Sequence, residues 1–256
     1  ALRLLEHLEL FLYRRARVVV VVTESFRNNL VSRGINPDKI TVILNGVDLS
    51  RFHPLSRDPE LAEQLGLTGK FVAGYIGTHG MAHALETILE AAERIMQLSE
   101  AMNIRFVFLG DGARKRALQE IAISRGLDNV LFLDTVPKAD VPHYWSLLDV
   151  SIIHLRNADN FTQVIPSKLF ECMGMGIPIL HGVAGESANI VEREGVGLVF
   201  EPENVRALCN GLLRLQRDCV LYKQLKAQCL TAAPHYDRAA RAREMLAILE
   251  RVVANN

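Results

Sequence analysis

The side chains best placed to do chemistry are a serine, a lysine and a glutamate at the start of one predicted helix. Ser167, Lys168 and Glu171 follow Pro166, and spacings of three and four residues put them on one helical face. Pro166 suits a first helical turn, where the Ser167 hydroxyl can cap free amides. Those amides and the Lys168 ammonium favour an anion, and the hydroxyls of a ribose would supply the donors that Glu171 needs. The segment predicts a nucleotide-sugar site, with a capped helix carrying a surface Lys–Glu pair as the alternative.

Glycine turns that follow predicted strands offer further groups to a phosphate. The first turn consists of Gly77, Thr78, His79 and Gly80. We expect it to open a helix, so that its amides and the helix dipole face a phosphate. His79 or His83 could add a donor, although a single histidine is more often a packing residue. Gly110 and Asp111 begin the second turn, where Asp111 can cap amides or meet a ligand hydroxyl, with capping favoured.

Apolar strand-like runs alternate with helical periods, which predicts an α/β fold with a Rossmann-like parallel sheet covered by helices. The predicted strands are residues 17–22, 40–43, 71–76, 105–109, 130–133, 150–154, 177–180 and 197–200. Ligands bind at the carboxyl ends of such strands. Both glycine turns, the loop 155–166 and Val136 fall at such ends. The backbone of Val136 could pair with the edge of a nucleobase, as could that of other strand-end loops.

Composition narrows the class of protein. The chain has 256 residues, 49% of them apolar and 23% charged, and its 29 basic and 29 acidic side chains give no reason to expect nucleic acid binding. Its four cysteines lack a Cys-x-x-Cys pair, so we expect reduced thiols in a cytosolic protein and no metal site. Sequence signatures of a Ser-His-Asp triad, a His-Glu-x-x-His helix or a Walker loop are missing. Electrostatic stabilisation of a diphosphate leaving group is then the expected chemistry.

The N-terminal region suggests a longer protein. The chain starts at Ala1 rather than Met, and Glu6 interrupts the apolar stretch too early for a signal peptide. We therefore expect a piece of a longer chain. The sequence has no apolar run of transmembrane length. Residues 8–17 form a basic, apolar helix that could lie on a membrane surface, with an ordinary packed helix as the favoured interpretation.

With these residues assembled, the sequence resembles the retaining nucleotide-sugar glycosyltransferases of GT-B architecture in family four, which build lipopolysaccharides, capsules and glycolipids. The motifs that carry the resemblance are Val22-Thr23-Glu24-Ser25, Asn45-Gly46-Val47-Asp48, Tyr75-Ile76-Gly77, Leu109-Gly110-Asp111-Gly112, Pro166-Ser167-Lys168-Leu169-Phe170-Glu171 and Gly176-Ile177-Pro178. The resemblance implies that residues 1–52 are a remnant of an N-terminal acceptor-side domain, which is mostly missing. Residues 53–256 would be the C-terminal nucleotide-sugar-binding domain.

The resemblance also implies a hexosyl transfer and roles for single residues. Lys168 would hold the diphosphate and Glu171 the ribose, which makes these two the predicted catalytic residues, while the turn 77–80 would contact the phosphates. Backbone contacts are implied with the base at Val136 and Pro137, and with the diphosphate or sugar at Val164 and Ile165. The implied partners are a UDP-linked sugar and a lipid-linked or glycan acceptor, without a metal or other cofactor. Membrane contact, at the inner face, would come through the missing domain.

Three positions depart from the family pattern. Thr78 and His83 stand where many members carry Arg and Lys, and Gln163 stands where many carry Glu. The Pro-Ser-Lys form resembles a subgroup acting on amino-deoxy or N-acetylated sugars, in which Lys168 would supply the missing positive charge. Two alternatives stay open. One is a UDP-sugar epimerase of the same architecture, although the sequence offers no obvious acid–base pair for it, and the other is a nucleotide-binding domain without turnover.

Overall fold

The computed structural model describes residues 2–98 and 103–254, which form a two-stranded and a six-stranded parallel sheet surrounded by helices. The strands are β1 (Val19–Val21), β2 (Ile40–Val42), β3 (Phe71–Ile76), β4 (Ile104–Leu109), β5 (Val130–Leu133), β6 (Val150–His154), β7 (Ile179–Gly182) and β8 (Gly197–Val199). The helices are α1 (Leu2–Arg15), α2 (Glu24–Ser32), α3 (Pro59–Gln64), α4 (Glu86–Met96), α5 (Lys115–Ser124), α6 (Val141–Ser146), α7 (Lys168–Met175), α8 (Glu186–Glu194), α9 (Val205–Arg217), α10 (Cys219–Ala232) and α11 (Arg238–Ala254). The predicted α/β fold with a parallel sheet is confirmed.

The strand order of the large sheet creates a crevice in its middle. The order is β5-β4-β3-β6-β7-β8, so the direction of winding reverses between β3 and β6. β3 pairs with β4 from Phe71 to Ile76, but with β6 at Ala73 and Gly74. Beyond Gly74 the carboxyl halves of β3 and β6 therefore diverge. Such a topological switch point is where open parallel sheets bind ligands.

Helices cover both faces of this sheet. Because its strands are buried on both sides, their sequences are nearly continuous apolar runs. On one side α7 buries Leu169 and Met173 completely. Because side chains three and four residues apart share a helical face, this packing turns the face with Lys168 and Glu171 toward the crevice. The described cysteine thiols are free, and Cys219 is the exposed one among them.

The start of α4 differs from the prediction. The sequence predicted that the turn 77–80 opens a helix whose dipole faces a phosphate, but a 3₁₀ turn follows at Met81–His83 and α4 begins at Glu86. Ala84 between them is left-handed, with φ 43°. A left-handed residue interrupts the helical hydrogen-bond ladder, so the dipole of α4 starts well beyond Gly80.

The N-terminal segment and the last helix lie together. β1 pairs with β2, and the Val47 backbone exchanges hydrogen bonds of 2.9 Å with Tyr236 and Arg238, just before α11. α1 packs against this region through Leu10 and Tyr13. Its other face is exposed at Leu4, Leu5, Leu8, Phe11 and Leu12. The domain boundary at residue 52 stays a prediction.

Candidate functional site

A cavity of about 340 Å³ lies in the crevice between β3 and β6. The predicted site residues that line it are Gly77, Thr78, Val164, Ser167, Lys168 and Glu171, and His83 joins them. Leu155, from the predicted strand-end loop 155–166, also lines it, as does His154, which the sequence analysis missed. A larger hollow of about 650 Å³ lies beside α5 and β5, but its lining residues Arg116 and Glu120 form an ion pair with each other. The smaller cavity instead holds Lys168 and Glu171, which are not paired with each other among the described ion pairs.

Ser167 begins α7 without capping it. Its own backbone is helical, with φ −59° and ψ −31°, and its hydroxyl makes no capping bond within the described residues. This corrects the predicted cap, since a capping residue needs an extended backbone to aim its side chain at the following amides. The Leu169 and Phe170 amides bond to the carbonyls three residues back. Among the described contacts, the N–H groups of Ser167 and Lys168 lack an acceptor and are available to an anion.

Lys168 projects into the cavity and rests on an aromatic ring. Its Nζ lies 3.6 Å from the centroid of the Tyr75 ring, a cation–π contact. Burial lowers the pKa of Lys168 to about 8, against the opposing effects of Cys172 and Glu171. A cation shielded from water in this way interacts strongly with an incoming anion.

Gly77 lies next to the Lys168 ammonium, at a position where a side chain would contact it. Its φ of 143° lies in the region that favours glycine, and a Cβ at this position would lie 2.9 Å from Lys168 Nζ. The backbone conformation favours a glycine at the start of the first turn, whereas a Cβ would displace only the flexible end of the Lys168 side chain. The ammonium of Lys168 therefore lies directly against the backbone of that turn.

Glu171 is the half-buried carboxylate of the cavity. Burial raises the pKa of Glu171, while Lys168 and Arg238 oppose the shift. The described ion pairs do not include one between Glu171 and Lys168, so each keeps its capacity for a ligand. A carboxylate with free acceptor sites can bind the two hydroxyls of a ribose.

Tyr75 supports both the lysine and the first turn. Its hydroxyl donates a 2.8 Å hydrogen bond to the carbonyl of Thr78 while its ring carries Lys168. We expect Tyr75→Phe to lower the free energy of unfolding by about 1 kcal/mol, because one hydrogen bond is lost, and to leave pyrophosphate affinity nearly unchanged. Tyr75→Leu removes the ring as well and should weaken pyrophosphate binding about fivefold. Calorimetric titration and urea unfolding of both variants test this, and equal affinity losses would contradict the role of the ring.

His79 does not reach the cavity, which corrects its predicted role as a phosphate donor. Its ring is fully buried beside Tyr75, Phe108 and Phe132, and neither ring nitrogen has a partner among the described residues. Burial, followed by the charge of Lys115, lowers the pKa of His79 to about 4. The ring is therefore a neutral packing group.

The second glycine turn packs against the first. A Cβ on Gly110 would lie 2.1 Å from the carbonyl oxygen of Gly77, and the His79 N–H donates to the Asp111 carbonyl over 2.8 Å. The Asp111 carboxylate accepts from the Gly112 amide at 2.7 Å, which caps the turn itself rather than α5. Close contact between two turns thus accounts for Gly110. Ligand contact through Gly80, Gly110, Asp111, Val136, Pro137 and Ile165, which lie outside the cavity lining, stays a prediction.

The side-chain clusters and the helices of the described residues bear on metal binding and on membrane insertion. The described residues contain no group of three or more His, Cys, Asp or Glu side chains placed to hold a metal ion. Within the same ranges, the helices are too short or too polar to cross a membrane.

The chain belongs to the family described as Glycosyl transferases group 1, whose model matches residues 70–218. Residues 1–51 match the model described as Glycosyltransferase Family 4. The class of protein predicted from the motifs, a glycosyltransferase, is thereby confirmed.

Curated relatives are similar over part of their length. The chain is 28% identical over 191 residues to the UDP-Gal:alpha-D-GlcNAc-diphosphoundecaprenol alpha-1,3-galactosyltransferase of Escherichia coli, covering 73% of this chain and 48% of that protein. It is 26% identical over 192 residues to the D-inositol 3-phosphate glycosyltransferase of Thermobifida fusca (strain YX), covering 71% of this chain and 43% of that protein. The chain thus spans about half the length of the curated relatives it matches.

Solved structures share the fold. The crystal structure of Anabaena HepE in complex with UDP-glucose superimposes with a TM-score of 0.81 at 18% identity, covering 96% of this chain and 67% of that one. At this identity the likeness shows the fold alone. The parallel α/β fold of this chain is therefore shared with that structure.

Proposed function

We propose that this chain is the donor-binding part of a retaining glycosyltransferase that transfers a hexose-type sugar from a UDP-linked donor. The observation that carries the proposal is the convergence of Lys168, the free amides at the start of α7 and Glu171 in one cavity. The cation and the amides suit a diphosphate, and the carboxylate suits ribose hydroxyls. The galactosyltransferase relative names UDP-Gal as its donor, and HepE was solved with UDP-glucose.

The proposed chemistry is electrostatic. When the bond between the anomeric carbon and the diphosphate oxygen breaks, negative charge develops on that oxygen. Lys168 and the Ser167 and Lys168 amides stabilise this charge, because fixed donors in a partly dry cavity need little reorganisation. In a retaining transfer the acceptor hydroxyl oxygen then bonds to the anomeric carbon on the face that the diphosphate leaves, and its proton passes to the departing diphosphate oxygen. We assign to Lys168 the positive charge that a metal ion would otherwise supply.

The acceptor and the setting are part of the same proposal. We propose a lipid-linked or glycan acceptor, in surface polysaccharide or lipopolysaccharide synthesis. The galactosyltransferase relative supports this, because its name specifies a diphosphoundecaprenol-linked acceptor. Residues 1–52 would belong to the acceptor-side domain, which the match of residues 1–51 to a second family model supports. We place the reaction on the cytoplasmic side of a membrane, with any membrane contact made by the N-terminal domain.

Calorimetric titration with UDP, uridine, GDP and ADP tests the proposal. We expect UDP to bind at least tenfold more tightly than uridine, since charge-assisted bonds to the diphosphate contribute about 1.5–3 kcal/mol. Titrations with EDTA and with added magnesium show whether a metal contributes. If UDP fails to bind a folded sample, or binds no better than uridine, the assignment of the cavity to a nucleotide diphosphate is wrong.

A further inference from the structure

His154, the last residue of β6, forms two hydrogen bonds between loops that surround the cavity. Its side chain is 1% exposed and lines the cavity. Its Nδ1 lies 2.8 Å from the carbonyl oxygen of His83, and its Nε2 lies 2.9 Å from the backbone nitrogen of Glu203. The ring also stacks on Phe200, with centroids 5.9 Å apart and an angle of 10° between the planes. Both polar atoms of this buried ring are therefore used.

These partners fix the protonation state of the ring. An amide N–H can donate but not accept, so Nε2 of His154 must be unprotonated. A carbonyl can accept but not donate, so Nδ1 must carry the hydrogen. The neutral imidazole with its proton on Nδ1 satisfies both bonds at once, whereas the imidazolium satisfies one. Burial lowers the pKa of His154, which favours the neutral form.

The two bonds join chain segments that are distant in sequence. Glu203 is left-handed, with φ 61°, a conformation that costs free energy for a residue other than glycine. Its Oε2 accepts a 2.7 Å bond from the Asn157 amide, and the Arg156 amide donates to the Ala82 carbonyl at 2.9 Å. The loops after β3, β6 and β8 are thus connected in a ring, and His154 forms two of its links.

We propose that His154 is a positioning residue of the donor site, which holds the loops after β3, β6 and β8 together so that the walls formed by His83 and Leu155 keep their shape. This role rests on the proposed function and extends it. His154 lines the cavity and also bonds to two loops that are remote in sequence, so it can hold the donor site in shape. Lys168 and Glu171 contribute charge and hydrogen-bond acceptors, and His154 fixes the space between them and the loops.

Three substitutions separate the two bonds. His154→Phe keeps a ring that can stack on Phe200 and removes both hydrogen bonds of His154. His154→Asn places a donor near the position of Nδ1, and His154→Gln places an acceptor near the position of Nε2, so each retains one bond. We expect His154→Phe to weaken UDP binding about tenfold, and the Asn and Gln variants to recover part of that loss.

His181→Phe is the matched control. His181 is an equally buried histidine on the neighbouring strand β7, its Nε2 lies 2.9 Å from the Ser187 hydroxyl, and it does not line the cavity. This variant should lose stability in urea unfolding but keep UDP affinity. If it weakens UDP binding as much as His154→Phe, or if His154→Phe binds UDP as the parent does, the positioning role is overturned.

Amide hydrogen exchange of the free protein separates this inference from the proposed function. The Glu203 and Asn157 amides should exchange faster in His154→Phe and His154→Asn than in His154→Gln, where the Glu203 bond is kept. Equal exchange in all three variants would show that His154 does not hold these loops. Failure of the parent protein to bind UDP would instead refute the proposed function, and with it a donor-site role for His154.

Discussion

Lys168→Ala is expected to weaken UDP binding about thirtyfold while leaving uridine binding nearly unchanged, because the ammonium is assigned to the diphosphate. Calorimetric titration of both ligands measures the difference directly. Lys223→Ala on α10 removes the same charge from an exposed position and should change neither affinity. Equal losses of UDP and uridine affinity in Lys168→Ala would show that the lysine does not recognise the diphosphate.

The same lysine predicts a pH dependence. Because burial lowers the pKa of Lys168 to about 8, its side chain is charged below that pH and neutral above it. UDP affinity should therefore fall as the pH rises from 7 to 8.5, an interval in which a phosphate with a second pKa of about 6 is almost fully ionised. The fall should be absent from Lys168→Ala. A parent protein with constant affinity over this interval would contradict an ammonium–diphosphate contact.

Glu171→Ala should weaken UDP and uridine by the same factor, about thirtyfold, because both ligands carry the ribose hydroxyls. Burial raises the pKa of Glu171, which means that folding disfavours its charged form. Removing the carboxylate should therefore not lower the free energy of unfolding at neutral pH. The variant is expected to stay folded and to lose affinity alone.

A ligand lacking one hydroxyl sharpens the test of Glu171. The parent protein should prefer UDP to 2′-deoxy-UDP, and Glu171→Ala should bind the two equally, because the partner of the hydroxyl is gone. Glu192→Ala, which removes an exposed carboxylate from α8, should keep the parent's preference. A preference that persists in Glu171→Ala would assign the hydroxyl to another residue.

The sequence predicted those parts of the site that depend on near neighbours. The α7 segment was recognisable because Pro166, Lys168 and Glu171 lie within one helical turn and a half, and their spacing alone sets a shared face. Strand and helix periods likewise predicted the sheet whose strand ends form the cavity. Periodicity is a local property, so these predictions did not need the tertiary structure.

The predictions that failed depended on distant residues. His79 is a packing group because aromatic rings from β4 and β5 surround it, which its own turn does not reveal. His154 was missed because its partners, His83 and Glu203, are far away in sequence and approach only when the loops after three strands meet. Ser167 has the residue type of a cap, but its helical backbone turns the hydroxyl elsewhere. Tertiary packing decides such roles.

The separation of β3 from β6 beyond Gly74 has a consequence for how the site can change in evolution. The space for a ligand is opened by the course of the main chain rather than by small side chains. A substitution at a wall position such as Thr78 or Val164 therefore alters the shape and polarity of that space without closing it. One sheet can in this way accommodate different ligands through single replacements, while the strand order that opens the crevice stays the same.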